Sequence, residues 1–181
     1  MLTSPEEVTT IHKAIVCHLI HEDKMALLSV GAEDHGGLAT TDAKSEGFIY
    51  DTSLVTITPD MFGPVTGAVE KTETGENAVL RELQEEIGLL ASPDKLVPLS
   101  PSKLSLLQRI NGHWRFFPKG NMFHYVYKLG SEELQKITDY LKKEGRKIEL
   151  VDPFKIPQGL VLRRAAEGLI GEVFYEKPNF N

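Results

Sequence analysis

Residues 67–89 read Gly-Ala-Val-Glu-Lys-Thr-Glu-Thr-Gly-Glu-Asn-Ala-Val-Leu-Arg-Glu-Leu-Gln-Glu-Glu-Ile-Gly-Leu. Thr74 can serve as an N-cap, and Gly88 stands where a helix ends on a left-handed glycine, so the spacing predicts a helix over 75–87. At ~100° per residue and with Glu82 set at zero, Glu85 lies at about −60° and Glu86 at about +40°. The carboxylates of Glu82, Glu85 and Glu86 therefore share an arc of roughly 100°. Ala78 falls inside that arc, where its small side chain is expected to leave the face open. Val79, Leu80, Leu83 and Ile87 occupy the adjoining arc and are expected to dock the helix on a sheet. Arg81 flanks the acids and can orient one of them through a charge-assisted hydrogen bond.

Clustered carboxylates repel one another and raise one another's pKa. A divalent cation relieves the repulsion, and oxygen-only ligands suit Mg²⁺ or Mn²⁺ rather than a thiolate-loving metal. Mg²⁺ keeps waters and shares its shell with substrate phosphates, so the implied chemistry is metal-assisted attack of water on phosphorus. Gly67, at the start of the segment, lets the backbone approach a metal or phosphate closely. The plainer reading of three such acids is a solvated helix face, because charge runs are usually surface. It is the whole segment, with its glycines and arginine, that outweighs it.

Outward from this helix the chain reads as short strands first and helices later. Residues 12–20 and 25–30 form apolar runs joined by the polar His21-Glu22-Asp23-Lys24, a predicted hairpin. Residues 31–47 are rich in Gly, Asp, Thr and Ser and read as a loop. Phe48–Thr58 is β-prone. Pro59 and Pro64 bracket a predicted turn, and 65–69 a short strand. A loop with Pro93, Pro98 and Pro101 follows the box helix. Residues 104–110 and 114–129 are expected to be strands joined across Asn111-Gly112, a hairpin turn signal. Residues 131–147 are expected to be an amphipathic helix, 148–154 a short strand, and 158–169 a last helix. The order suggests either an α+β protein or an α/β protein with a mixed α/β/α sandwich, organised as a single domain over residues 1–181.

The chain has 181 residues, 41% hydrophobic and 25% charged, ordinary for a globular protein with a real core. Twenty Lys+Arg against 26 Asp+Glu give a net charge of −6. That balance argues against duplex nucleic acid as a partner, which needs a basic surface. A small phosphorylated ligand remains compatible, because a metal ion reverses the local sign. The single Cys17 excludes an internal disulfide framework and a Cys-rich zinc site. No apolar run approaches a membrane span. Residues 1–10 carry Glu6 and Glu7 without a basic cluster, unlike a signal peptide, so the expected location is cytoplasmic, with no membrane partner. A homodimer stays open.

Residues 67–89 fit Gly-x5-Glu-x7-Arg-Glu-U-x-Glu-Glu-x-Gly-U at every position, U being a bulky aliphatic residue. At average residue frequencies such a match has a chance of about 10⁻¹⁰ per starting point. The sequence resembles the Nudix hydrolases on Gly67, Glu73, Arg81, Glu82, Leu83, Glu85, Glu86, Gly88 and Leu89. The resemblance implies a Nudix-type α/β/α sandwich and hydrolysis of a nucleoside diphosphate linked to another moiety, with Mg²⁺ or Mn²⁺. It implies Glu82, Glu85 and Glu86 as metal ligands, the Gly67 carbonyl as a further one, Arg81 as the residue that orients the acids, and Glu73 as a tie between loop and helix. Glu82, Glu85, Glu86 and Arg81 are then the expected catalytic set, and the partner is a small nucleotide-type substrate. Many members carry Pro-Gly-Gly before the box; here Val65-Thr66-Gly67 keeps only the second glycine. Signatures of the coenzyme A, NADH, ADP-ribose or diadenosine polyphosphate subfamilies are not recognised downstream. A further acid or general base from outside the box is open among Glu132, Glu133, Glu149 and Asp152.

The loop 31–47 and the segment 90–120 are expected to shape specificity. Trp114, Phe116, Phe117, Phe123, Tyr125 and Tyr127 read first as core and then as base-stacking surfaces. His18 and His124 read as structural, and Cys17 as a small buried apolar residue. Arg109 and Arg115 read as hairpin charges before phosphate contacts, and Arg163 and Arg164 as the solvated side of the last helix. The rival function is a regulator that binds a nucleotide on the same scaffold without turnover. A pure binder has no need of Glu82, Glu85 and Glu86 together. A third function, isomerisation of a diphosphate-bearing lipid precursor, would want a placed cysteine or extra His and Glu ligands, which Cys17 in a first strand does not supply.

Overall fold

The stretch Ala-Ile-Val-Cys-His-Leu-Ile, apolar on both alternations, can only be a strand covered on both faces. The computed structural model describes residues 8–41 and 54–175, and that strand is its spine. Its elements are β1 (Val8–Thr10), β2 (Ala14–His21), β3 (Lys24–Ser29), β4 (Leu38–Thr41), β5 (Val55–Thr56), β6 (Met61–Gly63), β7 (Val65–Ala68) and α1 (Gly75–Ile87). There follow β8 (Leu96–Pro101), β9 (Leu106–Ile110), β10 (His113–Phe117), β11 (Met122–Lys128), α2 (Ser131–Lys143), β12 (Ile148–Val151), β13 (Val161–Leu162) and α3 (Arg164–Ile170), which runs into one wider turn over Gly171–Tyr175. Residues 1–10 lie partly, and Phe48–Thr58 and the loop 31–47 partly, outside the described residues.

Two mixed sheets result. The larger runs β13-β6-β3-β2-β11-β8, with β7 added beside β2 and β12 beside β3. Within it β2 runs parallel to β11 and antiparallel to β7, where Ile15 faces Gly67 across the ladder. The smaller sheet runs β1-β10-β9-β4-β5. Odd positions of β2 (Ile15, Cys17, Leu19) point into the core beneath α1 and α2, with Val79, Leu83, Ile87, Ile137 and Leu141. Even positions point the other way. Ala14 and Val16 meet Leu106, Phe117 and Met122 between the sheets, and Ile20 meets Ala166, Ile170 and Phe174 under α3 and the turn that follows. Helices thus cover both faces of the larger sheet, the expected α/β/α arrangement.

Several local expectations change. Between Pro59 and Pro64 a turn, closed by the Met61 N–H onto the Thr58 carbonyl, leads straight into a strand, β6. Pro98 and Pro101 lie inside β8, which bonds only to β11 at the sheet edge, where a missing N–H is tolerated. Pro118 and Gly120 break 114–129 into β10 and β11. The last helix begins only at Arg164, because 161–162 first pair with β6. The β2–β3 and β9–β10 hairpins form; Asn111 and Gly112 both take positive φ, 52° and 77°. Among the described residues no helix is long and apolar enough to cross a membrane.

Candidate functional site

The helix α1 forms where its caps predict. The Thr74 hydroxyl accepts from the Asn77 N–H at 3.2 Å. At the other end Gly88 takes φ 66°, and its N–H closes onto the Gln84 carbonyl. Val79, Leu83 and Ile87 are fully buried. Ala78 is too, which corrects the expectation that it would open the acidic face. The first turn of α1 lies close against the sheet, and a methyl group is what fits there.

Arg81 organises the acids. Its Nε and Nη2 donate to both oxygens of Glu73, at 2.9 and 3.0 Å, and Nη2 also donates to the Ala68 carbonyl at 2.9 Å. Its Nη1 donates to Glu82 at 2.7 Å and to Glu85 at 3.3 Å. One guanidinium so ties the box loop, β7 and two helix carboxylates together. Those hydrogen bonds hold the Glu73 carboxyl below its usual range and raise Arg81 further.

Glu82 meets β7 at Gly67. A Cβ on Gly67 would stand 2.2 Å from the Glu82 carboxyl carbon, so only glycine permits this approach. Burial raises the Glu82 pKa, with Arg81 opposing. Glu86 is set deeper. Burial, and then the charge of Glu82, push its carboxyl up to about 8. Glu85 stays largely in solvent. The expectation of three outward-facing acids therefore holds for one of them. Arg146, from the turn after α2, braces this end of α1: Nη1 donates to the Glu86 carbonyl at 3.2 Å, and Nε and Nη2 to the Ser29 carbonyl at 3.1 and 2.8 Å.

A cavity of about 350 Å³ opens between the two sheets, with Gly67, Glu82 and Glu86 on its rim. Two acids outside the box share it, Glu33 and Asp34, from the loop after β3. Asp34 pairs with Arg163 at 3.5 Å; burial raises its pKa while Arg163 opposes. None of the four outside-box acids anticipated from sequence lines it. Glu133 instead holds the start of α2, accepting from the Gly130 N–H at 3.0 Å and the Tyr127 hydroxyl at 2.7 Å. Glu132 and Glu149 are exposed, and Asp152 accepts from the Phe154 N–H. The available signal was the acidic pair at the end of a strand, inside the loop expected to shape specificity. Arg163 is a second correction: it faces the cavity at the start of α3 rather than solvent. The side chain of Arg164 lies outside the described residues.

Of the anticipated stacking aromatics only Phe117 lines the cavity. Trp114 and Phe116 point to the other face of the smaller sheet, against Leu107. Tyr125 and Tyr127 are core under α1 and α2. His18 and His124 are buried elsewhere: His18 Nε2 and His124 Nδ1 share a hydrogen bond at 3.0 Å, and His124 Nε2 meets Glu172 at 3.1 Å. Cys17 is buried, which pushes its thiol pKa up, away from the reactive range. It cannot supply isomerase chemistry.

Among the described residues no three His, Cys, Asp or Glu side chains form a ready-made metal cluster, since Arg81 draws Glu82 and Glu85 toward itself. The metal-donor candidates are nevertheless all oxygens: Gly67, Glu82 and Glu86 line the cavity, and Glu85 lines the adjoining cleft with Glu82 and Glu86. With Glu86 held so far from its ordinary pKa, they fit a hard divalent cation. Fold and donor chemistry together define an α/β/α protein with an oxygen-lined acidic rim over a ligand-sized cavity.

The profile described as NUDIX domain matches residues 51–166. The chain belongs to the Nudix family, and with it to the hydrolases of pyrophosphate bonds, enzymes that generally use divalent metals. No curated protein matches the sequence. Among solved structures the chain is similar to the E. coli dihydroneopterin triphosphate pyrophosphohydrolase (14% identity, 94% of this chain and 96% of that one, TM-score 0.47). It is also similar to a mutT/nudix family protein from Listeria innocua (16%, 93% and 94%, TM-score 0.48) and to the C. elegans Ap4A hydrolase (14%, 75% and 92%, TM-score 0.36). The family assignment rests on the profile.

Proposed function

We propose that this chain hydrolyses the diphosphate bond of a nucleoside diphosphate linked to another moiety, with Mg²⁺ or Mn²⁺ held by the Gly67 carbonyl, Glu82, Glu85 and Glu86. The observation that carries this reading is the approach of Glu82 to Gly67 at the rim of a cavity that also takes the half-buried Glu86. Held by these oxygens, a divalent cation would neutralise phosphate charge and lower the pKa of the attacking water. Arg81 fixes the direction of Glu82 and Glu85, so that the acids need little reorganisation when substrate arrives. The proton from the water goes to a carboxylate, either Glu82 or an acid outside the box. Arg163 and Asp34 form an ion pair beside Glu86 at the same rim. A regulator without turnover would have no need of Glu82, Glu85 and Glu86 together.

The test is a screen of nucleoside triphosphates, nucleotide sugars and dinucleotides with Mg²⁺ or Mn²⁺, reading phosphate or nucleotide release. Turnover of at least one diphosphate-linked nucleotide, abolished by EDTA, is the expected result. Tight nucleotide binding with no release under either metal would favour the regulator instead.

A further inference from the structure

The wall of the cavity facing the acidic rim comes from the smaller sheet. In the β9–β10 ladder Leu106 stands opposite Phe117 and Gln108 opposite Arg115, so these four side chains share one face. All four line the cavity, with Val16 and Met122 closing its apolar end. Gln108 is half-buried there, and among the described residues no hydrogen bond or ion pair engages its side chain or that of Arg115. The charge of Arg115 acts on Asp34, which Arg163 already engages. A half-buried amide beside an apolar slot is satisfied only by water or by a ligand.

We propose, on the basis of the hydrolase reading above, that Gln108 and Arg115 are specificity-determining residues that read the edge of one keto-bearing heteroaromatic base, seated on Leu106 and Phe117. Arg115 has donors and no acceptor, so it selects the base edge with a carbonyl oxygen at the purine 6- or pyrimidine 4-position over the edge with an amino group there. Gln108 supplies one donor and one acceptor beside it. An edge that presents an amino group to Arg115 meets donor with donor. The cavity's 350 Å³ holds about a dozen waters at ~30 Å³ each. It accommodates one nucleoside rather than two, so a dinucleotide would leave its second base outside. The substrate class that follows is a single nucleotide with a keto-bearing base, its diphosphate at the carboxylate rim.

The experiment has two arms. In the first, KM and kcat are measured for nucleotides with guanine, hypoxanthine or uracil and for those with adenine or cytosine, on the parent, Arg115→Met and Gln108→Glu. The parent should prefer keto bases. Arg115→Met should raise KM for them at least ~10-fold, the loss of a charge-assisted hydrogen bond, with kcat changed less than about three-fold. Gln108→Glu, which adds acceptors, should shift preference toward amino bases. In the second arm, binding of guanosine and adenosine monophosphates is titrated calorimetrically in EDTA, which requires neither metal nor turnover. Tighter binding of the guanosine form by the parent, lost in Arg115→Met, is expected. A parent that prefers amino bases, or folded variants with unchanged KM and unchanged monophosphate binding, would overturn the proposal. If no diphosphate is hydrolysed yet monophosphate binding behaves as stated, the hydrolase reading fails and this one stands.

Discussion

Replacing Glu86 with Gln should make the metal-free protein more stable, and only above acid pH. Burial and the charge of Glu82 hold the Glu86 carboxyl near 8, against an ordinary value of 4.5. A group whose folded pKa is raised favours the native state fully below the unfolded value and loses that advantage as pH climbs to the folded one. For Glu86 the loss spans pH ~4.5 to ~8 and amounts to roughly 4–5 kcal/mol if the fold does not adjust. Water penetration and shifts of Glu82 and Arg146 relieve part of it, leaving ~2–3 kcal/mol. Gln is close in shape and never ionises, so Glu86→Gln removes the pH-dependent part. For a chain of this length the change is a rise in Tm of about 5–10 °C at pH 8.5, with little difference near pH 4.5. The assay is a thermal melt of parent and variant in EDTA across that range. An equal offset at both ends, or a variant less stable at pH 8.5, would refute the claim that burial and Glu82 raise the Glu86 carboxyl against the opposing charges of Arg146 and Arg163.

Other outcomes follow from the same geometry. Mg²⁺ should raise the parent Tm by mass action, up to ~2.7 kcal/mol of stability at a hundred-fold excess over its dissociation constant. The effect should be larger at neutral than at acid pH, because protons compete for the same oxygens; a shift equal at both pH values would leave the rim a mere solvated surface. Gly67→Ala puts a methyl 2.2 Å from the Glu82 carboxyl carbon. Because the flexible end of Glu82 can swing aside, melting should change little while turnover falls at least ~10²-fold, and an active Gly67→Ala enzyme would contradict the Gly67–Glu82 assignment. Leu83→Asp places an unpaired charge at a fully buried core position, a cost of several kcal/mol out of a total of about 5–15. A soluble variant with the parent's melting transition would contradict the packing of α1.

The box helix was legible because its determinants are local. Thr74 and Gly88 each cap backbone groups within five residues, Val79, Leu83 and Ile87 repeat every four, and each is found in its anticipated role. The β9–β10 turn was legible for the same reason, through Asn111-Gly112. What stayed hidden depends on partners far along the chain. Pro98 and Pro101 are compatible with β8 only because that strand lies at an edge. Asp34 and Arg163, 129 positions apart by their numbers, meet only once α3 has folded back over β6. The burial of Glu86 likewise needs the Arg146 brace and the loop after β3, neither of which is marked in the box. Helical geometry could group three acids on an arc; it could not say that one would stay in solvent and two be drawn into a cavity.

The central claim is that the acids of α1 carry a metal-dependent hydrolysis. Its most direct test is the steady-state turnover, measured on the best diphosphate-linked nucleotide from the screen, of the parent with Mg²⁺, the parent with EDTA, and Glu86→Gln with saturating Mg²⁺. The account predicts turnover in the first case, none above background in the second, and a loss of at least ~10²-fold in the third, since one charged ligand is gone. Near-parental turnover by Glu86→Gln, or hydrolysis that persists in EDTA, would contradict it.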